Sequence, residues 1–120
     1  MATILIADDT ASEAALITSI VQKLGHNAQT VGDGEACIAA AKMLRPALIL
    51  LDGVMPKIDG FNTCRKIKKD PELANTPIIM VSSKNQESDK FWAERQGANG
   101  YVTKPFTPDS LAAAIRTILP

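Results

Sequence analysis

The run Ala47-Leu48-Ile49-Leu50-Leu51-Asp52-Gly53-Val54-Met55-Pro56-Lys57-Ile58-Asp59-Gly60 decides the fold. Its first five residues are apolar with no alternation, the pattern of a strand buried on both faces. Asp52 follows at once, and Gly53, Pro56 and Gly60 disallow a regular element just beyond it. Asp52 is therefore expected at the carboxyl tip of a central strand. In open parallel sheets that edge is where ligands bind. A carboxylate placed there is solvated, paired or holding a metal.

Upstream, Thr3-Ile4-Leu5-Ile6-Ala7 reads as a short strand stopped by Asp8-Asp9. Thr10-Ala11-Ser12-Glu13 has the form of a capping box that opens a helix. Leu16, Ile17, Ile20, Val21 and Leu24 follow at helical spacing, and Gly25 closes the helix. Asn27 to Val31 is a more polar strand, suited to a sheet edge. After the turn Gly32-Asp33-Gly34, an Ala-rich helix over Glu35 to Leu44 carries Cys37, Ala41 and Leu44 on one stripe. Pro46 marks its end.

Downstream, Asp59 is placed to cap a helix from Gly60 to about Lys69, with Phe61, Cys64 and Ile67 facing inward. Pro77 to Val81 is a second continuous apolar strand, ending at Ser82-Ser83. A helix near Gln86 to Gln96 carries Phe91 and Trp92 side by side. Helical neighbours point about 100° apart, so both cannot be fully buried, and one is expected at the margin of the core. Asn99 to Thr103 is a last strand, leading to Lys104-Pro105. The final helix starts near Pro108-Asp109, with Leu111, Ala114, Ile115, Ile118 and Leu119 as its stripe. Five strands alternating with five helices through short loops predict a doubly wound parallel α/β sheet with helices on both faces. Residues 1–120 are read as a single domain, with no repeat, linker or low-complexity segment.

Composition narrows the function. Apolar residues make up 46% and charged residues 22% of the 120, ordinary for a globular domain. Lys+Arg and Asp+Glu balance at 13 each, which disfavours nucleic acid as a partner. The basic run Arg65-Lys66-Ile67-Lys68-Lys69 reads as a solvated helix face. Thr3 to Ala7 is too short for a signal segment or a membrane span, so a cytoplasmic protein is expected. Cys37 and Cys64 match no metal spacing and read as buried or half-buried thiols.

The polar residues just after the strand ends are Asp8 and Asp9, Asp52, Ser82 and Lys104. In a parallel sheet these ends share one rim. Carboxylates about 4 Å apart repel by about 4 kcal/mol per pair at an effective dielectric near 20. Such a cluster takes up a proton, a cation or both. Oxygen-only ligands select Mg²⁺ or Mn²⁺ over zinc. A carboxylate beside such an ion, a lysine and a hydroxyl suggests phosphoryl transfer onto the carboxylate. Taken singly, each residue has a plainer reading: a helix cap, a solvated lysine, a loop serine. Their order along the strand tips is what carries the argument.

Together Ile6-Ala7-Asp8-Asp9, Leu51-Asp52, Met55-Pro56, Asp59-Gly60, Val81-Ser82 and the run from Gly97 to Phe106 make the chain resemble a response-regulator receiver domain over essentially its whole length. The resemblance implies a flavodoxin-like sandwich with strand order 2-1-3-4-5. It implies Asp52 as phosphoacceptor, Asp8, Asp9, Asp52 and the Val54 backbone carbonyl around Mg²⁺, and Lys104 on the phosphoryl group. Ser82 and Tyr101 would be a switch pair, and Lys104–Pro105 a cis peptide. The implied partners are a histidine kinase as phosphodonor and a protein target on the face of the fourth helix, fifth strand and last helix. The chain is expected to be monomeric or at most weakly dimeric. Such a domain catalyses its own phosphorylation and dephosphorylation and is otherwise no enzyme.

The stretch from Ser83 to Trp92 and Arg95-Gln96-Gly97-Ala98 further resembles the stand-alone receivers that control type IV pilus twitching motility. A flagellar-type chemotaxis regulator and a phosphate sink for a shared kinase stay open. The distant alternatives are a flavodoxin-like cofactor binder, which Asp8-Asp9 disfavours by repelling a phosphate, and an interaction module that keeps only the fold. Two positions depart from the family pattern. Gly53 stands where a larger apolar residue is usual, which predicts a looser loop. Val54 offers no polar side chain to a hydrolytic water, while Lys84 is expected near its path. Both bear on the lifetime of the phosphorylated form.

Overall fold

The computed structural model describes residues 2–120. Its elements run β1 (Thr3–Ala7), α1 (Ala11–Lys23), β2 (Asn27–Val31), α2 (Gly34–Leu44), β3 (Leu48–Leu51), α3 (Gly60–Lys69), β4 (Ile78–Ser82), α4 (Glu87–Arg95), β5 (Gly100–Thr103) and α5 (Pro108–Ile118). The five strands form one sheet in the order β2-β1-β3-β4-β5, and every pairing is parallel. This is the expected flavodoxin-like architecture, with boundaries moved by a residue or so.

Alternation along the strands splits the core into two layers. Leu5, Ala7, Ile49, Leu51, Ile78 and Met80 face α2 and α3, meeting Cys37, Ala41, Phe61, Cys64 and Ile67. Ile4, Ile6, Leu48, Leu50, Ile79 and Val81 face α1 and α5, meeting Ile17, Ile20, Val21, Leu111 and Ile115. All four residues of β3 are buried, as a strand covered on both faces must be. β2, at the edge, has no buried residue. Both cysteines are buried and free. Burial, helped by nearby Cys64 and Asp33, pushes the Cys37 thiol up to about 12, and burial, against the Lys68 charge, pushes Cys64 up to about 11, so both pack as neutral groups.

Four expectations need correction. Thr10 is the N-cap of α1, but its side chain makes no capping bond; its N–H donates to Asp8 Oδ1, and the Glu13 side chain turns to Lys104 instead of back to Thr10. Leu16 and Leu44 sit at the rims of their helical stripes, 47% and 39% exposed. Neither Phe91 nor Trp92 reaches the core margin: they are 60% and 55% exposed, since α4 buries only Ala93. Within the basic run, Lys68 is half-buried and hydrogen-bonded within the protein. Its ammonium donates to the Thr76 carbonyl at 2.6 Å and to Asn99 Oδ1 at 3.2 Å, tying α3 to the segments that lead into β4 and β5.

Candidate functional site

Order β2-β1-β3 reverses direction at β1 and β3, so their carboxyl ends bound the crevice where such sheets bind ligands. Backbone pairing continues just past the strands. Asp52 N–H donates to the Ala7 carbonyl at 2.9 Å, and Lys104 N–H donates to the Ser82 carbonyl at 2.9 Å. These bonds bring side chains from four strand ends to one rim. Asp8, Asp9 and Asp52 each offer a carboxylate oxygen, all within 4.8 Å of one another.

Three strand ends use the same local device. Asp8 Oδ1 accepts the Thr10 N–H at 2.9 Å, Asp52 Oδ1 accepts the Val54 N–H at 3.1 Å, and Ser82 Oγ accepts the Lys84 N–H at 3.2 Å. A short polar side chain binding the amide two residues on stabilises a tight turn after a strand. It also fixes one oxygen of each carboxylate and leaves the other free. The free oxygens of Asp8 and Asp52 meet Lys104 Nζ at 2.9 and 3.4 Å, and Glu13 Oε2 meets it at 3.0 Å. The lysine side chain is only 9% exposed.

Burial raises the Asp52 carboxyl above its ordinary value, against the Val54 N–H and the Lys104 charge, which hold it down. Burial would lower Lys104, but hydrogen bonds to Asp8 and Glu13 and the surrounding carboxylates outweigh it and leave the ammonium raised. The rim thus holds a lysine firmly charged and one carboxylate, Asp52, that is comparatively easy to neutralise.

The cleft above these groups is open, about 560 Å³, and is lined by Asp9, Thr10, Glu13, Asp52, Val54, Ser83, Lys104 and Pro105. Asp9 is exposed, whereas Asp8, Asp52 and Ser82 are buried. The donor set fits a hard divalent cation: three converging carboxylates, oxygen only, with one face open to water. The Lys104–Pro105 peptide is cis.

Tyr101 reaches the β4–α4 loop from β5. Its hydroxyl donates to the Lys84 carbonyl at 2.6 Å, and burial raises the phenol above its ordinary value. The Lys84 ammonium sits 5.9 Å from the centre of the Phe61 ring rather than over the cleft, and Ser83 takes the place at its wall.

Gly53 lies at a tight spot beside the rim. It is buried, and a β-carbon there would lie 2.6 Å from Ser82 Oγ and 3.0 Å from the Phe61 ring. The glycine permits this close approach of the loop to Ser82 and Phe61. Gly60 closes the same loop: its N–H donates to the Gly53 carbonyl at 2.9 Å, and a β-carbon on it would collide with the Asp52 carbonyl. Asp59 caps α3 as expected, accepting the Asn62 N–H at 2.8 Å.

Sequence reasoning missed Glu13 at this rim. The signal was its place one turn beyond Asp9, which puts it over the same strand end, but the capping-box pattern absorbed it.

Comparison with known proteins agrees with this geometry. The family model described as response regulator receiver domain matches residues 4–116. The chain is 40% identical over 119 residues to protein PilH of Pseudomonas aeruginosa strain PAO1, covering 99% of this chain and 98% of that protein. The chemotaxis protein CheY4 of Vibrio cholerae superposes with a TM-score of 0.92 at 28% identity, covering 98% of both chains. The receiver domain of sensor histidine kinase PA1611 from Pseudomonas aeruginosa PAO1, solved with a magnesium ion coordinated in its active site cleft, gives 0.90 at 25% identity over 98% of this chain and 97% of that one. Among the described residues no helix is long and apolar enough to cross a membrane. A rim of clustered aspartates facing a buried lysine, on this sheet and with these relatives, makes the chain a member of the response regulator receiver domain family, the phosphoacceptors of two-component signalling.

Proposed function

We propose that Asp52 accepts a phosphoryl group from a phosphohistidine on a sensor kinase. The observation that carries this is its carboxylate, buried at the rim beside Lys104 and within reach of Asp8 and Asp9. A carboxylate oxygen of Asp52 forms a bond to phosphorus, the phosphorus–nitrogen bond breaks, and the electron pair leaves with the imidazole. Asp8, Asp9, Asp52 and the Val54 backbone carbonyl would hold Mg²⁺, which supplies charge neutralisation to the phosphoryl oxygens.

The chain's own residues do the rest. Lys104 Nζ, 3.4 Å from Asp52 Oδ2, transfers one of its donors to a phosphoryl oxygen. The Ser82 hydroxyl exchanges the Lys84 N–H for another phosphoryl oxygen, to which it donates. That exchange frees the loop whose carbonyl holds the Tyr101 hydroxyl. Phosphorylation then shifts a pre-existing equilibrium on the face formed by α4, β5 and α5, where a target protein docks.

Likeness to PilH across nearly the full length of both chains supports a role in type IV pilus control. Output to a target and draining of phosphate from a shared kinase both fit this geometry. The lifetime of the phosphorylated form, with and without the kinase, separates them.

The test uses acetyl phosphate, or beryllofluoride, with Mg²⁺. With acetyl phosphate the wild type gains one phosphoryl group, and with beryllofluoride one adduct, only when Mg²⁺ is present, and Asp52→Ala gains neither. An undiminished adduct on Asp52→Ala, or none on the wild type, overturns the assignment.

A further inference from the structure

We propose that Glu13 is a positioning residue of this site: it holds Lys104 off Asp52 and biases the rim toward binding a cation over an anion. The proposal rests on the reading of Asp52 as acceptor and Lys104 as the group that meets the phosphoryl oxygens.

A lysine ammonium has three donors and no acceptor. Here three carboxylates share them, Asp8 at 2.9 Å, Glu13 at 3.0 Å and Asp52 at 3.4 Å. The longest contact is the one to the acceptor. With the lysine side chain only 9% exposed, water has little access to replace any of the three. An arriving phosphoryl oxygen must therefore take a donor from one of them.

The three are not equally held. The other oxygens of Asp8 and Asp52 are fixed by the Thr10 and Val54 amides. The Glu13 side chain makes no further hydrogen bond among the described residues and is 41% exposed on the wall of the cleft. It can swing into water, where a carboxylate is well solvated, so Glu13 is the group that yields. Until then it draws the ammonium toward α1 and away from Asp52.

Its charge acts as well. Asp8, Asp9, Asp52 and Glu13 carry four formal negative charges against one positive charge on Lys104. Each negative charge attracts a divalent cation and repels an incoming phosphoryl anion. For a half-exposed carboxylate at this range, with an effective dielectric between a protein surface and water, the effect on either affinity is about three- to tenfold.

The experiment compares the full chain with Glu13→Gln, which keeps shape and removes charge, and Glu13→Asp, which keeps charge. Three quantities are measured: the Mg²⁺ dissociation constant by calorimetry, the beryllofluoride affinity at saturating Mg²⁺, and the rate of phosphorylation by acetyl phosphate. In Glu13→Gln, Mg²⁺ binding is expected to weaken about threefold or more, while beryllofluoride binds about three- to tenfold tighter and phosphorylation speeds up in proportion. Glu13→Asp, which keeps the charge but draws it back from Lys104, falls between the wild type and Glu13→Gln, and added salt narrows the difference. A merely structural role in α1 moves cation and anion affinity in the same direction. That result, or no change in either, overturns the proposal while leaving Asp52 as acceptor. Absence of any adduct on the wild type overturns both, and is seen before a variant is made.

Discussion

Asp52 carries its charge in a place that disfavours charge. Its side chain is about 10% exposed, and burial raises its carboxyl despite the Val54 amide and Lys104. The native state therefore binds this proton more readily than the unfolded chain does. The stabilising contribution is full below the ordinary carboxylate value of about 4 and is lost as pH rises through the raised native value. Asp52→Asn keeps an oxygen for the Val54 N–H and removes the charge. Without divalent cations it is expected to be more stable than the wild type at pH 7 by roughly 1 kcal/mol, a few degrees in Tm. The gain should vanish below about pH 4, where the wild-type carboxyl is neutral too. Millimolar Mg²⁺ should raise the Tm of the wild type more than that of the variant, because only the wild type keeps the full site. Melting curves at two pH values, with and without the metal, check all three; a variant less stable at pH 7 would contradict the account. Gly53 gives a second test. A methyl group there overlaps Ser82 Oγ, so Gly53→Ala should lose about 1–3 kcal/mol in urea unfolding. Adding Ser82→Ala should return part of it, a coupling of at least about 0.5 kcal/mol. Strict additivity would mean that the overlap is relieved elsewhere.

At the scale of elements, the hydrophobic pattern identified all ten segments, because strand and helix periodicities differ so strongly in a doubly wound sheet. What it could not assign was which partner a polar side chain would choose. Thr10 and Glu13 match a capping box, yet a lysine 91 residues away competes for the glutamate and takes it. Such a competitor is invisible to a four-residue window. The Phe91-Trp92 pair fails for another reason. Helical spacing says how far apart neighbours point, but not how wide a stripe the helix buries, and α4 buries one alanine. Lys68 shows the same limit within a basic run. The Asn99 amide oxygen accepts its ammonium at 3.2 Å and the Ile78 N–H at 2.9 Å, so one side chain closes the start of β4 and another pins α3 to it. Lys68→Met keeps the aliphatic stem, removes the donors, and leaves the Thr76 carbonyl without its 2.6 Å partner. It should cost about 1–3 kcal/mol in urea unfolding. Lys66→Met, on the exposed side of the same helix, should stay within about 0.5 kcal/mol of the wild type. Equal effects at the two positions would mean that the Lys68 contacts contribute nothing.

For the whole molecule, strand alternation predicted a parallel sheet, but the order of strands came only from family resemblance. Hydrophobic runs record burial and not adjacency, so β3 reads as central without revealing that β1 lies beside it. The convergence of Asp8, Asp9, Asp52 and Lys104 follows once that order is given, because all parallel strands end on one side. The proposed switching of the α4–β5–α5 face needs a link from the rim, and two hydrogen bonds offer one. Ser82 Oγ holds the Lys84 N–H, and the Lys84 carbonyl holds the Tyr101 hydroxyl, so one residue of the β4–α4 loop joins the rim to β5. If an anion on Asp52 draws the serine hydroxyl away, the Lys84 amide loses its acceptor and the loop carrying the tyrosine's acceptor is released. Hydrogen exchange is then expected to speed up at the Lys84 amide when beryllofluoride and Mg²⁺ are added, with changes spreading into α4 and β5. Ser82→Ala removes the first link. It should still bind beryllofluoride through Asp52 and Lys104, but the Lys84 amide should exchange fast from the outset and show no further response. A normal response at α4 and β5 in Ser82→Ala would mean that the signal leaves the rim by a route other than this loop.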